Sequence, residues 1–193
     1  EPLEQVVNGS WDLAAAAALF EKEQTQKISM QNLQTLYAET AGQGDHEGWI
    51  AAIDAYTSEH GDNPMLGKAK FDAMLANKDT EAAYAWARVM LAASWDNAQV
   101  LNSFAWGVLD ETPEEFQDLD YALEVATRAS ELTNNEDAMI LDTLARAYWE
   151  LGETYKAIAW QQKAVEYADG QMADSIVATL KQYETSLASV TND

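Results

Sequence analysis

The chain has 193 residues, enough to bury a core in one domain or one short array. Hydrophobic residues make up 48%, which excludes a disordered polyelectrolyte in spite of a formal net charge of −22. That charge repels nucleic-acid phosphates and anionic lipid, so the partner it admits is a protein or peptide of neutral or basic surface. There is no cysteine, so disulfides, thiolate metal sites and thiol nucleophiles are absent from this chain. No apolar run reaches the length of a membrane span. The run Leu13–Phe20 lacks a basic flank and a cleavage context and is not a signal peptide. With Glu1 where an initiator methionine would stand, the chain reads as a piece of something longer or a processed product.

Helical periodicity runs through nearly the whole length, helped by abundant alanine and few breakers. Ser10 is placed to cap a first helix carrying Trp11, Leu13, Leu19 and Phe20, and Ser29 to open a second with Met30, Leu33, Leu36 and Tyr37. "AGQGD" interrupts. A third helix over 46–59 presents Trp49, Ile50, Ile53 and Tyr56. "HGDNP" turns, and Pro64 suits the first turn of the next helix. Thr80 is the expected cap of "EAAYAWARVMLAAS". A helix follows over 98–109, then the loop "DETPEEFQD", then a helix over 121–132. Helices over 138–151 and 155–167 flank Gly152, and a last one starts near Met172. No alternating strand pattern of useful length occurs. Short connections predict antiparallel neighbours.

The stretch "LDTLARAYWELGETYKAIAWQQKAVEYA" carries a spacing of its own. Counting from Ala138, Leu141, Leu144 and Tyr148 fall at positions 4, 7 and 11, and Ala145, Ala157 and Ala164 at 8, 20 and 27 of a 34-residue unit. Small residues at 8, 20 and 27 let two helices approach closely, and large ones at 4, 7 and 11 fill the space to the next pair. Counting from Ala98, Leu101, Phe104, Ala105 and Val108 repeat the pattern, as do Ala122 and Ala129 once the longer loop is allowed. The chain thus resembles the tetratricopeptide repeat family, most closely over 98–168. Gln161 departs from it at position 24, where an aromatic residue is usual, and Asp169 at 32, where proline is usual. The resemblance implies an all-α superhelix of antiparallel helix pairs with a concave groove for peptides or partner proteins, not an enzyme, and it calls for no cofactor. Residues 1–63 form a helical region of possible degenerate repeats, 64–97 a degenerate pair, 98–169 two repeats, and 170–193 a capping helix and tail.

A second resemblance concerns "EPLEQVVNGSWDLAAAA", "LNSFAWGVLDE" and "AMILDTLARAYWELG". These are similar to the helical tail behind a thioredoxin-like redoxin domain in bacterial envelope proteins. It implies an accessory domain of a thiol–disulfide oxidoreductase that positions a substrate or partner in the cell envelope or periplasm, with redox cysteines upstream of Glu1. Self-association of the helices is a further alternative.

In the repeat family, positions 2, 5, 9 and 12 face the groove. The resemblance therefore selects Gln99, Asn102, Trp106 and Leu109 from one unit, and Met139, Asp142, Arg146 and Trp149 from the next. Of these, Asn102, Trp106, Asp142, Arg146 and Trp149 form the candidate partner-binding set, by stacking and bidentate hydrogen bonding. The competing reading packs Trp106 and Trp149 against neighbouring helices. The family's carboxylate clamp is matched only by Asn102. His46 and His60, the two histidines, have acidic neighbours but no third convergent ligand, so they read as surface turn residues and not as zinc ligands. Asp110, Glu111, Glu114, Glu115, Asp118 and Asp120 lack calcium-loop spacing and read as a solvated acidic loop or a contact for a basic partner.

Overall fold

The computed structural model describes residues 12–191. The regular structure is helical: α1 (Leu13–Glu39), α2 (His46–His60), α3 (Pro64–Ala76), α4 (Thr80–Ala92), α5 (Ala98–Trp106), α6 (Leu119–Leu132), α7 (Ala138–Glu150), α8 (Thr154–Tyr167) and α9 (Gly170–Thr191). No strand occurs among the described residues. Short 3-10 turns lie at Ala41–Gln43 and Glu114–Phe116.

Acidic and amide side chains set most helix starts. Asp12, Asp45, Asn63, Asn97, Asp118 and Asp137 each accept a backbone N–H from the first turn that follows. A carboxylate there satisfies an orphan donor and meets the positive end of the helix dipole, so part of the acid load has a local use. Three expected starts are corrected. Ser10 and Trp11 lie outside the described residues, and Asp12 caps α1 through the Ala15 N–H at 3.0 Å. Ser29 opens nothing: α1 runs unbroken through it, because no breaker separates the two apolar stretches. Asp79, not Thr80, accepts the Ala82 N–H, at 3.3 Å.

The chain divides into two compact units, residues 1–83 and 84–193, with the division falling inside α4. In the first unit, α1, α2 and α3 share a core of Leu33, Trp49, Ile53, Leu66 and Ala73, against which Met30, Ile50 and Tyr56 pack. Tyr37 meets Trp49 edge to face at 5.1 Å. Lys70 of α3 pairs with Asp54 of α2. Beyond Leu33, α1 leaves Leu19, Phe20 and Ile28 exposed.

In the second unit, α5 packs on α6, α7 on α8, and α6 on α7, while α5 and α7 are neighbours. The repeat spacing accounts for this packing. All six small residues at positions 8, 20 and 27 of the two pairs (Ala105, Ala122, Ala129, Ala145, Ala157 and Ala164) are 0% exposed. The large partners Leu101, Val108, Leu141 and Leu144 are buried beside them. A methyl group at each contact leaves room for the facing backbone, and larger neighbours close the layer. Closely packed helix pairs, as the spacing predicts, therefore build this unit.

The connections are equally local. Gly152 adopts φ 76° between α7 and α8, a left-handed turn that an L side chain enters at a cost. Asn134 and Asn135 take φ 55° and 56° between α6 and α7. After Trp106 the α5 helix widens into a π turn over Gly107–Glu111, so the regular helix stops short of Leu109. The acidic loop is then pinned from within. Gln117 Nε2 donates to the Thr112 carbonyl at 2.8 Å, and Tyr84 Oη donates to the Phe116 carbonyl at 3.0 Å while accepting the Asp118 N–H at 2.9 Å.

Candidate partner-binding face

The five candidate residues lie on two neighbouring helices of the second unit, Asn102 and Trp106 on α5 and Asp142, Arg146 and Trp149 on α7. Their environments differ sharply.

Trp106 is 37% exposed, a large ring open to solvent at the end of α5. Asn102 is buried to 8%, and its Oδ1 has no hydrogen-bond partner. A buried acceptor without a donor is unfavourable. Met139, at the start of α7, is 45% exposed.

The α7 residues are engaged by α8 and α9. Trp149 lies flat on Tyr183 of α9, ring centroids 4.2 Å apart and planes 11° from parallel. Asp142 Oδ1 accepts from Gln161 Nε2 at 2.6 Å, and the same Nε2 reaches the Ile176 carbonyl of α9 at 3.1 Å. Burial lifts the Asp142 carboxyl above its ordinary range, opposed by the Gln161 hydrogen bond and the Arg146 charge. Arg146 Nε donates to Glu150 Oε1 one turn along, at 2.5 Å. Burial raises the Tyr183 hydroxyl to about 12, and that oxygen has no partner.

Gln161 and Tyr183 were not among the sequence candidates, yet they organise this region. The signal for Gln161 was its place, a polar residue at position 24 where an aromatic is usual. It is 0% exposed, and its Oε1 has no partner. Tyr183 carried no signal beyond the period of an amphipathic helix.

The structure corrects one sequence reading and narrows another. His46 and His60 are the first and last residues of α2, half-buried and not in turns. His60 lies against the Tyr56 ring at 4.6 Å, beside a cleft of about 380 Å³ that Lys27, Met30 and Asn63 also line. Among the described residues no three His, Cys, Asp or Glu side chains come close enough to hold a metal ion. In the acidic loop, Asp110, Glu111, Glu114 and Glu115 are exposed, while Asp118 is spent as the cap of α6. No helix among the described residues is long and apolar enough to cross a membrane.

No family model and no curated protein matches the chain. Among solved structures it is similar to the crystal structure of a thermophilic TPR protein from Thermus thermophilus. That likeness has 17% sequence identity and a TM-score of 0.47, and covers 84% of this chain and 82% of that one. The helix pairing described above stands on the burial of its own small and large residues.

Proposed function

We propose that the second unit is a non-catalytic protein-binding module whose contact face is formed by α5 and α7. The observation that carries the reading is the large Trp106 ring standing 37% exposed at the end of α5. The ring offers a large stacking surface to an incoming segment. Asp142, Arg146 and Trp149 extend the face along α7. The net charge of −22 favours a segment that is neutral or basic. Capture of partners from a lysate by the wild type, by Trp106→Ala and by the pair Arg146→Ala and Trp149→Ala tests this. Loss of the same bands from the variants, with helicity unchanged, is the expected result. Identical capture by all three proteins would count against the face.

Self-association is a second reading, favoured by Leu19, Phe20 and Ile28 standing exposed along α1. Attachment to a redox domain is a separate proposal, decided by whether a Cys-x-x-Cys lies in the reading frame before Glu1.

A further inference from the structure

Helix α9 lies against both α7 and α8, packed mainly on α8, and its anchors show what that surface accepts. Ile176 enters a pocket of Ala138, Leu141 and Ala164, rimmed by Trp160, Val165 and Ala168. Seven residues on, Tyr183 joins Ala145 and Ala157 and stacks on Trp149. An aliphatic side chain and an aromatic ring two helical turns apart therefore anchor α9, and they are its buried hydrophobic side chains among the described residues.

The polar side of this contact is poorly matched. Four buried side-chain polar atoms among the described residues lack a hydrogen-bond partner, and two of them, Gln161 Oε1 and Tyr183 Oη, are at the α9 contact. Asp142, beside both, is held in a site that disfavours its charge. The α7–α8 contact, by comparison, is closed by fully buried Ala145, Ala157 and Ala164. A contact with two buried anchors, only half-buried Val177, Leu180 and Leu187 beside them, and polar groups left unsatisfied belongs to the low-stability end of a fold.

We propose that α9 is a detachable cover, and that the α7–α8 surface beneath it binds an amphipathic helix with an aliphatic and an aromatic residue seven positions apart. In this arrangement α9 competes in cis with a partner helix of the same pattern. The inference rests on the reading of α7 as part of a binding face, and its test needs no knowledge of the natural partner.

The probe is a labelled synthetic peptide of residues 170–191, titrated by fluorescence anisotropy into the full chain and into its Tyr183→Ala variant. In the wild type the tethered helix holds the face at high effective concentration. The peptide is therefore expected to bind Tyr183→Ala at least about tenfold more tightly. A peptide with alanine in place of Tyr183 should not bind. Equal binding to both chains, with circular dichroism unchanged, overturns the proposal. Hydrogen exchange on the wild type keeps the matter decidable should Tyr183→Ala fail to fold. Amides of α9 should exchange about tenfold or more faster than those of α7 and α8, and exchange of all three helices at one common rate overturns the detachable cover. Failure here leaves the α5 contact through Trp106 standing. Failure of the Trp106→Ala capture experiment leaves the peptide result unaffected.

Discussion

Gln161 sits where a helix pair of this kind usually places an aromatic ring, and the substitution has chemical consequences. Its amide reaches across to Asp142 and to the Ile176 carbonyl, so a position that normally fills space here links three helices. Asp142 is the residue this arrangement strains. Its carboxyl titrates above 3.8, so between that value and its folded pKa the native chain holds more of the proton than the unfolded chain. The contribution of Asp142 to stability is therefore greatest when it is protonated, falls as pH rises through that window, and stays reduced above it. Asp142→Asn removes the ionisation and keeps an oxygen for Gln161 to donate to. Chemical denaturation should show the variant more stable than the wild type at pH 7 and little different at pH 3.5. A less stable variant at pH 7 would mean that attraction to Arg146 outweighs burial.

At the scale of the element, alanine placement was the most readable feature of this chain. A residue with no side-chain freedom to lose, recurring at fixed offsets between larger apolar residues, predicts two helices in close contact, and the six alanines are all fully buried. Ala145→Leu forces three extra carbons into that contact and should destabilise the second unit by about 1–3 kcal/mol, read as a lower denaturation midpoint. A tolerated leucine would show that the pair is looser than its burial implies. Helix starts were less legible. Asp79 and Thr80 are both good caps, and only the backbone conformation decides which of two adjacent residues takes the role. The break expected before Ser29 failed for a related reason. A serine favours a helix start only when its backbone is already outside the helix, and nothing in the flanking residues of α1 turns it there. The two tryptophans of the candidate face illustrate the same limit. Trp106 and Trp149 stand at positions 9 and 12 of their units, both assigned to one face by the spacing, yet one is open and the other lies under Tyr183.

At the scale of the whole molecule, charge and exposed apolar surface act against each other. A net charge of −22 opposes the approach of a second copy, while Leu19, Phe20 and Ile28 on α1 favour it. In sequence, that helix sets Lys22 and Lys27 against Glu21, Glu23 and Glu39, which makes it one of the less acidic stretches. Light scattering over a range of concentrations should show reversible dimers that Phe20→Glu suppresses. A strict monomer at every concentration removes self-association. Salt should sharpen the distinction, because screening weakens the repulsion between copies and leaves the apolar contact intact.

The sequence alone determined the fold class and the pairing of the helices, because both follow from local period and from side-chain volume at fixed spacing. It also excluded thiol chemistry within these 193 residues, because that depends on composition. Which faces remain open was decided only by tertiary structure. The exposure of Trp106, the stacking of Trp149 on Tyr183 and the link from Gln161 to Asp142 and Ile176 bring together residues that are distant in sequence or separated by a helix turn. Such contacts depend on how a later helix lies across an earlier one, and no local pattern encodes that.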